Sequence, residues 1–233
     1  MKFKEAAKNK KMGETHKLES YYDTYDFHFG QLDREKKYNI LEIGVENGGG
    51  LWTLKEYFPN SSITGLDITA GCKQYENKDD DVKVFIGDQS NEDLLEKIHE
   101  DRGPFDIIID DGGHKMEQQL ISLYKLFQLL AENGIYIIED LHTSYWPPHG
   151  GGISKGQQTT MGILKQISEK STSRWASRCN RAAGDGNTED LDYFDKYTDS
   201  VHFHDSICFV YKKDCKNLHE LITNYKVHNT SRI

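Results

Sequence analysis

Short apolar runs alternate along this chain with longer segments in which apolar residues recur at helical spacing. The apolar runs lie near residues 38–43, 62–67, 82–86, 105–110 and 134–139. The clearest helical segment, Lys115 to Glu132, carries Leu120, Leu123, Leu126, Phe127 and Leu130 on one face. This alternation predicts an α/β fold with βαβ units and a doubly wound, mostly parallel sheet. Residues 198–212 add a C-terminal antiparallel hairpin, so we expect a seven-stranded sheet.

A glycine-rich turn follows the first apolar run. Residues 38–51 read YNILEIGVENGGGL, in which Gly44 and Gly48 precede a helical pattern. Glycine lacks a Cβ atom, so the backbone can turn sharply there and approach a ligand closely. The next run ends in Asp67, and a carboxylate at that place can accept hydrogen bonds from both ribose hydroxyls of a nucleotide-like cofactor. We therefore expect an adenosine-containing cofactor, with an ordinary strand–turn–helix as the alternative.

The residues of this turn also bear on which cofactor binds. A dinucleotide calls for the spacing G-x-G-x-x-G, whereas Gly44 is followed here by Val45 and Glu46. A carboxylate beside a pyrophosphate would be repelled, but it suits the sulfonium and ammonium groups of S-adenosylmethionine. The arrangement E-x-G-x-x-x-G from Glu42 to Gly48 resembles the first motif of class I methyltransferases.

That resemblance gives a role to the end of the third apolar run. In class I methyltransferases an acidic residue at this place contacts adenine, and Asp88 is the residue that matches here. The alternative for Asp88 is the N-cap of a helix over residues 91–99, which does not exclude the first role.

Carboxylates gather after the fourth and fifth apolar runs. The fourth run ends in Asp110 and Asp111, with His114 three residues on, and the fifth ends in Glu139 and Asp140. Open α/β sheets bind ligands at the carboxyl ends of their strands, so these side chains should share one crevice. Their repulsion calls for a cation, and oxygen ligation favours Mg²⁺ over Mn²⁺ or Ca²⁺. The alternative is that Asp110 and Asp140 only cap turns, with no metal.

The composition of the chain limits the kinds of partner and the cellular compartment that we expect for it. The chain has 233 residues, 36% hydrophobic and 29% charged, and a net charge of −9, which argues against a nucleic-acid partner. No apolar stretch is long enough for a membrane span, and the N-terminus lacks the apolar region of a secretory signal. Four scattered cysteines without a C-x-x-C motif fit a reducing, cytoplasmic compartment and no zinc site.

The rest of the chain is assigned to a single domain over residues 1–233. Residues 1–35 should form a helical N-terminal cap over the cofactor pocket, in which the basic stretch from Lys8 to Lys17 is expected to be solvated. Residues 143–190 lack a regular pattern, which is typical of a functional lid or of disorder. A polar helix is expected near 214–226. The oligomeric state stays open, and a homo-oligomer sharing its cap or lid is compatible with the sequence.

At the acidic segments the resemblance becomes more specific. FDIIIDDGGH and GIYIIEDLHTSYWP are similar to segments of the macrolide-sugar O-methyltransferases, over roughly residues 14–150. Those Rossmann-like enzymes use S-adenosylmethionine and Mg²⁺ to methylate a hydroxyl of a deoxysugar. The resemblance implies that Asp111, Glu139 and Asp140 hold the metal. It departs at Gly113, where serine is common, and at His142, where glutamine is common.

The resemblance also implies which residues act in catalysis and which bind the cofactor. It implies that His114 is the general base and that Asp111 takes part in catalysis through the metal. The residues expected to bind the cofactor are Glu42, Gly44, Glu46, Gly48, Asp67, Asp88 and Asp110.

The chemistry itself supports this assignment. Methyl transfer from a sulfonium is an in-line displacement that needs an oxygen close to the methyl carbon. A metal bound to two vicinal hydroxyls activates one of them, and His114 can then take its proton. Tyr145 and Trp146, with His142, are expected at the acceptor site, because aromatic faces pack on the C–H faces of sugars. Their alternative role is to anchor the base of the lid.

We therefore predict an S-adenosylmethionine- and Mg²⁺-dependent O-methyltransferase acting on a sugar hydroxyl of a small-molecule or glycan acceptor. One alternative is methylation of a catechol or another phenolic diol, although such an acceptor would favour a less polar lid. The others are a different metal-dependent sugar-modifying enzyme and a non-catalytic cofactor-binding module.

Overall fold

Seven strands form one sheet in the computed structural model, which describes residues 1–173 and 192–215. The strands are β1 Asn39–Ile43, β2 Ser62–Asp67, β3 Val82–Ile86, β4 Phe105–Asp110, β5 Leu130–Ile138, β6 Thr198–Phe203 and β7 Cys208–Lys212. Their order across the sheet is β3-β2-β1-β4-β5-β7-β6. The first five strands are parallel, and β7 pairs antiparallel with both β5 and β6. This topology confirms the predicted Rossmann-like, mostly parallel sheet with its closing hairpin.

Helices cover both faces of the sheet. They are α1 Phe3–Asn9, α2 Glu19–Phe29, α3 Gly49–Tyr57, α4 Glu92–Arg102, α5 Met116–Leu129, α6 Thr160–Ser173 and α7 Tyr193–Tyr197. Short 3₁₀ helices occur at Ala70–Tyr75, Leu141–Tyr145, Pro147–His149 and Ile153–Gln158. Among the described residues, no helix is both long enough and apolar enough to span a bilayer.

The stretch after β5 is more regular than its sequence suggested. Helix α6 lies inside the segment expected to be an irregular lid. Its residues Leu164 and Ile167 are buried in the core, and the residues around them are mostly polar or small. The expected helix near 214–226 lies outside the described residues, apart from its first two positions.

Two hydrophobic clusters sandwich the sheet, because side chains alternate along each strand. Ile40, Ile107 and Ile109 belong to the cluster under α1, α2 and α3. Leu41 and Ile108 belong to the cluster under α4, α5 and α6. Both faces of the parallel strands are therefore buried, which leaves the carboxyl edge of the sheet as the place for a site.

The N-terminal segment is an integral part of the first cluster. Phe3 is 1% exposed, and its ring centroid lies 4.6 Å from that of Tyr25 and 5.4 Å from that of Tyr57. Lys8 and Lys11 are exposed as expected, but the Lys17 side chain is only 3% exposed. The expectation that the whole basic stretch is solvated is therefore wrong for Lys17, which the aromatic packing of the cap carries into the interior.

A buried lysine ties the closing hairpin to the end of α5. The ammonium of Lys212 donates to the carbonyl oxygens of Phe127 (3.0 Å), Gln128 (3.0 Å) and Leu130 (2.6 Å). The last carbonyls of a helix lack partners within it, so a cation there both satisfies them and complements the helix dipole. The ammonium also lies 5.3 Å from the ring centroid of Tyr193.

We predict that Lys212→Met lowers the free energy of unfolding by about 1–3 kcal/mol, because it leaves buried carbonyl groups without a donor. Urea unfolding should show a lower midpoint at an unchanged m-value. Lys125→Met is the matched control, since Lys125 lies on α5 but its substitution removes only a surface ion pair to Glu96 of α4 (3.0 Å) and should cost less than about 1 kcal/mol. Equal stability of the two variants would contradict the capping role.

Candidate active site

The turn between β1 and α3 is a close-packed backbone structure. Gly44 has a φ of +92°, and a Cβ atom there would lie 1.9 Å from the carbonyl oxygen of Asp111. Gly48 has a φ of +74°, and a Cβ atom would lie 2.4 Å from the ring of Tyr75. Only glycine combines these angles with this clearance, so the glycine turn touches the loop after β4 directly.

Asp67, at the end of β2, holds the same turn in place. Its Oδ2 atom accepts hydrogen bonds from the backbone N–H groups of Val45 (2.8 Å) and Glu46 (3.0 Å), and Oδ1 accepts one from Thr69 (2.7 Å). Partial burial opposes ionisation, but these N–H groups outweigh it and lower the pKa of the carboxyl. Asp67 is therefore an anion whose remaining lone pairs face the turn.

Glu42 lies behind the turn, inside β1. The residue is 1% exposed, and its Oε2 atom is buried with no hydrogen-bond partner among the residues that the structure describes. A Cβ atom on Gly50 would lie 2.1 Å from Oε1 of Glu42, so the first turn of α3 packs directly on this carboxyl group. Burial raises the pKa of Glu42 to about 8. A buried acceptor with a free lone pair suits a cofactor that brings its own donor.

A cavity of about 420 Å³ opens at this edge of the sheet. Its walls include eight of the residues expected to bind cofactor or metal or to act in catalysis, namely Glu42, Gly44, Glu46, Asp67, Asp88, Asp111, His114 and Asp140. Thr15, His16 and Lys17 of the N-terminal cap close it from above. The glycine turn and the acidic loop therefore share one cavity, with the cap as its roof.

Two residues expected to bind the cofactor lie elsewhere. Gly48 is the N-cap of α3, packs against Tyr75 and does not line the cavity. Asp110 is fully buried, and its carboxyl group accepts hydrogen bonds from Gln89 (3.0 and 3.2 Å) and Tyr136 (3.4 Å). As the last residue of β4, Asp110 points to the face opposite its neighbour Asp111, and burial raises its pKa to about 7.

Asp88 lines the cavity without capping a helix. Its Oδ1 atom accepts hydrogen bonds from the backbone N–H (2.9 Å) and the hydroxyl (2.8 Å) of Ser90, which close a tight turn. The N-cap of α4 is Asn91, whose side chain accepts from the N–H of Leu94. The alternative role considered for Asp88 therefore belongs to Asn91.

Opposite the glycine turn, Asp111, His114 and Asp140 form one group. Each offers one ligand atom, and these atoms lie within 4.8 Å of one another. His114 Nε2 is 3.5 Å from Asp140 Oδ2 and 3.9 Å from Asp111 Oδ1. His114 and Asp140 have φ values of 54° and 55°, a left-handed backbone conformation that residues other than glycine rarely adopt. Such backbone strain concentrates at functional sites.

The donor set of this group fits a divalent cation. Two carboxylates that face one imidazole, with a cavity beside them, provide hard ligands and leave room for oxygen atoms of a substrate. His114 Nδ1 is buried and has no hydrogen-bond partner in the described structure, so the ring is not committed elsewhere. The expected metal residues Asp111 and Asp140 are thus brought together by the fold, and His114 lies close enough to join them.

Glu139, the third expected metal residue, is engaged differently. It is 1% exposed, and its Oε1 atom accepts hydrogen bonds from the ammonium of Lys17 (2.6 Å) and from the hydroxyl of Tyr25. The Lys17 ammonium also donates to Asp111 Oδ2 (2.7 Å) and lies 3.8 Å from Glu42 Oε1. Burial and the charge of Asp111 raise the pKa of Glu139 to about 7. Lys17 is therefore the cation that these carboxylates share.

One face of the N-terminal cap supplies these contacts. Tyr21 and Tyr25 are spaced by four, so they lie on one side of α2. Lys17 lies two residues before that helix, with its ammonium 5.9 Å from the ring centroid of Tyr25. The Tyr21 hydroxyl donates to Asp140 Oδ1 (2.8 Å) and accepts from the N–H of Asp140 (3.1 Å). Lys17 and Tyr25 were not predicted to lie at the site, because the spacing of Tyr21 and Tyr25 marks one helix face without indicating which groups that face meets.

The residues expected at the acceptor site lie just beyond Asp140. Tyr145 and Trp146 are each 49% exposed, and the Trp146 ring centroid is 4.6 Å from that of His142. His142 Nδ1 lies 2.6 Å from the hydroxyl of Ser206, in the turn between β6 and β7. These side chains do not line the cavity, and they form an open surface at its side.

Comparisons with known proteins agree with this geometry. No family model matches the chain. The 8-demethyl-8-alpha-L-rhamnosyl tetracenomycin-C 2′-O-methyltransferase of Streptomyces olivaceus is 31% identical over 204 residues, which cover 84% of this chain and 51% of that protein. Mycinamicin VI 2″-O-methyltransferase of Micromonospora griseorubida is 33% identical over 198 residues, which cover 81% and 47%. The chain spans about half the length of the curated relatives it matches.

Solved structures give the same result. The methyltransferase MycE of the mycinamycin biosynthetic pathway, in complex with Mg and SAH, matches with a TM-score of 0.78 and 28% identity over 92% of this chain and 55% of that one. Its complex with Mg, SAH and mycinamycin VI matches with a TM-score of 0.73 and 29% identity over 86% and 51%. The resemblance carried by the acidic segments is thereby confirmed. By sequence and by fold, the chain belongs to the class I methyltransferases and is a homologue of the macrolide-sugar O-methyltransferases.

Proposed function

We propose that this protein is an S-adenosylmethionine- and Mg²⁺-dependent O-methyltransferase that acts on a sugar hydroxyl. The observation that carries the proposal is the group formed by Asp111, His114 and Asp140, which opens onto the same cavity as the glycine turn. A methyl donor in one half of the cavity would then lie beside a metal-bound acceptor in the other. The relatives are named for methylation of sugars at 2′ and 2″ positions, which supports a sugar acceptor.

The cofactor half of the cavity fits S-adenosylmethionine better than a dinucleotide. Glu46 and Asp67 place negative charge at the turn, and the unpaired Glu42 Oε2 offers a buried acceptor. An ammonium or sulfonium group is attracted by such a wall, whereas a pyrophosphate is repelled by it. The MycE structures contain SAH, the product of methyl donation from S-adenosylmethionine.

The chain's own residues then have distinct tasks. Asp111 and Asp140 would hold the metal, and Glu139 is the further carboxylate within reach. When bound, the metal would supply a Lewis acid that makes an acceptor hydroxyl easier to deprotonate. His114 lies on the same loop as Asp111, and its imidazole ring takes the proton of the acceptor hydroxyl. Tyr21 fixes the Asp140 carboxylate, and the roof formed by the cap excludes water from the transfer.

The acceptor side points to a sugar because of its open aromatic surface. Tyr145 and Trp146 expose large faces next to His142, and such faces pack on the C–H groups of a sugar ring. A phenolic diol would instead need an enclosed apolar slot, and the cavity walls are rich in charged residues. A net charge of −9 disfavours a nucleic-acid acceptor.

The proposal is tested first by calorimetric titration with S-adenosylmethionine and with NAD⁺, followed by a transfer assay with methyl-labelled donor. The acceptor panel should contain rhamnosylated and other deoxysugar compounds beside a catechol. We expect binding of S-adenosylmethionine but not of NAD⁺, labelling of a sugar acceptor, loss of labelling with EDTA and recovery with Mg²⁺. Binding of NAD⁺ alone, or labelling that persists in EDTA, would overturn the proposal, and labelling of the catechol alone would replace the sugar with a phenol.

We predict that Asp140→Asn lowers methyl transfer by at least about 100-fold, because it removes a charged metal ligand, and leaves the affinity for S-adenosylmethionine nearly unchanged. Asparagine tolerates the left-handed backbone at this position, so the fold should be retained. Steady-state kinetics and calorimetry measure the two effects separately. Asp101→Asn, which disturbs only a surface ion pair with Lys83, is the control. A parallel loss of cofactor affinity would remove Asp140 from the metal site.

A second substitution tests the general base. His114→Asn removes the imidazole while keeping a residue type that accepts the φ of 54°. We predict a fall in kcat of about 10²–10⁴-fold with metal and cofactor binding retained. His202→Asn, on the exposed edge strand β6, should leave the kinetics unaltered. Loss of metal binding in His114→Asn would instead make His114 a metal ligand.

A further inference from the structure

The acidic side of the cavity already contains a cation that belongs to the chain. The Lys17 ammonium lies 2.7 Å from Asp111 Oδ2 and 2.6 Å from Glu139 Oε1, and its side chain is 3% exposed. Its ammonium donates a hydrogen bond to each of these carboxylates and also lies 3.8 Å from Oε1 of Glu42. Lys17 is therefore a buried positive charge between two of the expected metal residues.

A divalent metal held by the same two carboxylates would meet this ammonium directly. Mg²⁺ binds oxygen ligands at 2.0–2.1 Å, so a metal that contacts both Asp111 Oδ2 and Glu139 Oε1 must occupy the space between them. That space is filled by the ammonium nitrogen. Two cations this close also repel strongly in a buried site, so they cannot both occupy the space between these two oxygens.

The lysine is able to leave while the segment that carries it stays in place. Four methylene groups separate its charge from the backbone and rotate easily. The backbone before it is anchored, since the N–H of Glu14 donates to the carbonyl oxygen of Asn47 (3.3 Å). A Cβ atom on Gly13 would lie 2.6 Å from that same oxygen, which shows how closely the segment packs on the glycine turn. Only the side chain of Lys17 has to move.

We propose that the Lys17 ammonium and the divalent metal are alternative counter-cations for the Asp111–Glu139 pair, and that metal binding releases Lys17 from it. The inference rests on the proposed metal-dependent function. In the metal-free protein the Lys17 ammonium bridges the two carboxylates and compensates their charge, which preserves the site. In the metal-bound protein Glu139 becomes available as a ligand, and Lys17 is freed at the roof of the cavity.

The test compares Mn²⁺ binding to four full-length proteins at constant pH, followed by the loss of the free Mn²⁺ signal in electron paramagnetic resonance. Lys17→Met should bind Mn²⁺ about tenfold or more tightly than the wild type, because no competing charge has to be expelled. Lys17→Arg keeps the charge and should stay near the wild type. Lys11→Met removes an exposed lysine of the same segment, which pairs with Asp80, and should also match the wild type.

A measurement on the unmodified protein covers the case in which Lys17→Met does not fold. Acetylation of lysines by an N-hydroxysuccinimide ester, read by mass spectrometry, should find Lys17 protected without metal. With saturating Mg²⁺, labelling of Lys17 should rise several-fold relative to Lys11 in the same sample, whose side chain is 55% exposed.

The outcomes separate this inference from the proposed function. Metal affinity of Lys17→Met that equals or falls below that of the wild type overturns the exchange and leaves the metal-dependent function intact, and so does labelling of Lys17 that ignores Mg²⁺. Absence of metal binding in all four proteins overturns both the exchange and the proposed metal-dependent function. Tighter binding by Lys17→Met together with metal-induced labelling of the wild type establishes the exchange.

Discussion

The ends of β1, β4 and β5 place Glu42, Asp111 and Glu139 around one buried ammonium, that of Lys17. Carboxylates removed from water are strongly unfavourable unless a cation and hydrogen-bond donors accompany them. The chain meets this constraint from a single element, because Lys17 and Tyr25 both come from the N-terminal cap. The aromatic packing of the cap is thus coupled to the electrostatics of the site, and neither can be altered without the other.

The backbone around this charge cluster is as constrained as its side chains. The glycine turn and the loop after β4 touch at Gly44, where no Cβ atom fits. Glu46, His114 and Asp140 adopt left-handed angles at the cavity wall, each at a cost of about 1–3 kcal/mol. These three side chains occupy positions where glycine would be less strained, which is what the proposed function predicts for residues whose chemistry outweighs local stability. The site is therefore held in one geometry by contacts outside it.

Much of this fold can be predicted from the sequence, because buried parallel strands are continuous apolar runs bounded by polar residues. The bounds of β2, β3 and β4 match their apolar runs, and β5 begins earlier, at Leu130, where α5 ends. Helix α6 was missed although Met161, Leu164 and Ile167 recur every three residues, because this apolar pattern is short and polar residues follow it. Asp110 and Asp111 could not be told apart by pattern, since strand alternation sends adjacent carboxylates to opposite faces. Lys17 joins Glu139 across 122 positions of sequence, and no local signal encodes such a partner.

The two halves of the cavity differ in the sequence separation between the residues that form them. The cofactor half comes from consecutive βαβ segments between Glu42 and Gln89, whereas the acidic half joins Lys17 to Glu139 and, through His142, reaches Ser206. Chains begin to fold from the N-terminus while they are being synthesised. The glycine turn and Asp67 therefore leave the ribosome long before β5, and during that interval Lys17 lacks Glu139 as a partner. The acidic half is completed last, so a product that stops before β5 would carry the cofactor half, Asp111 and His114 without Glu139 and Asp140.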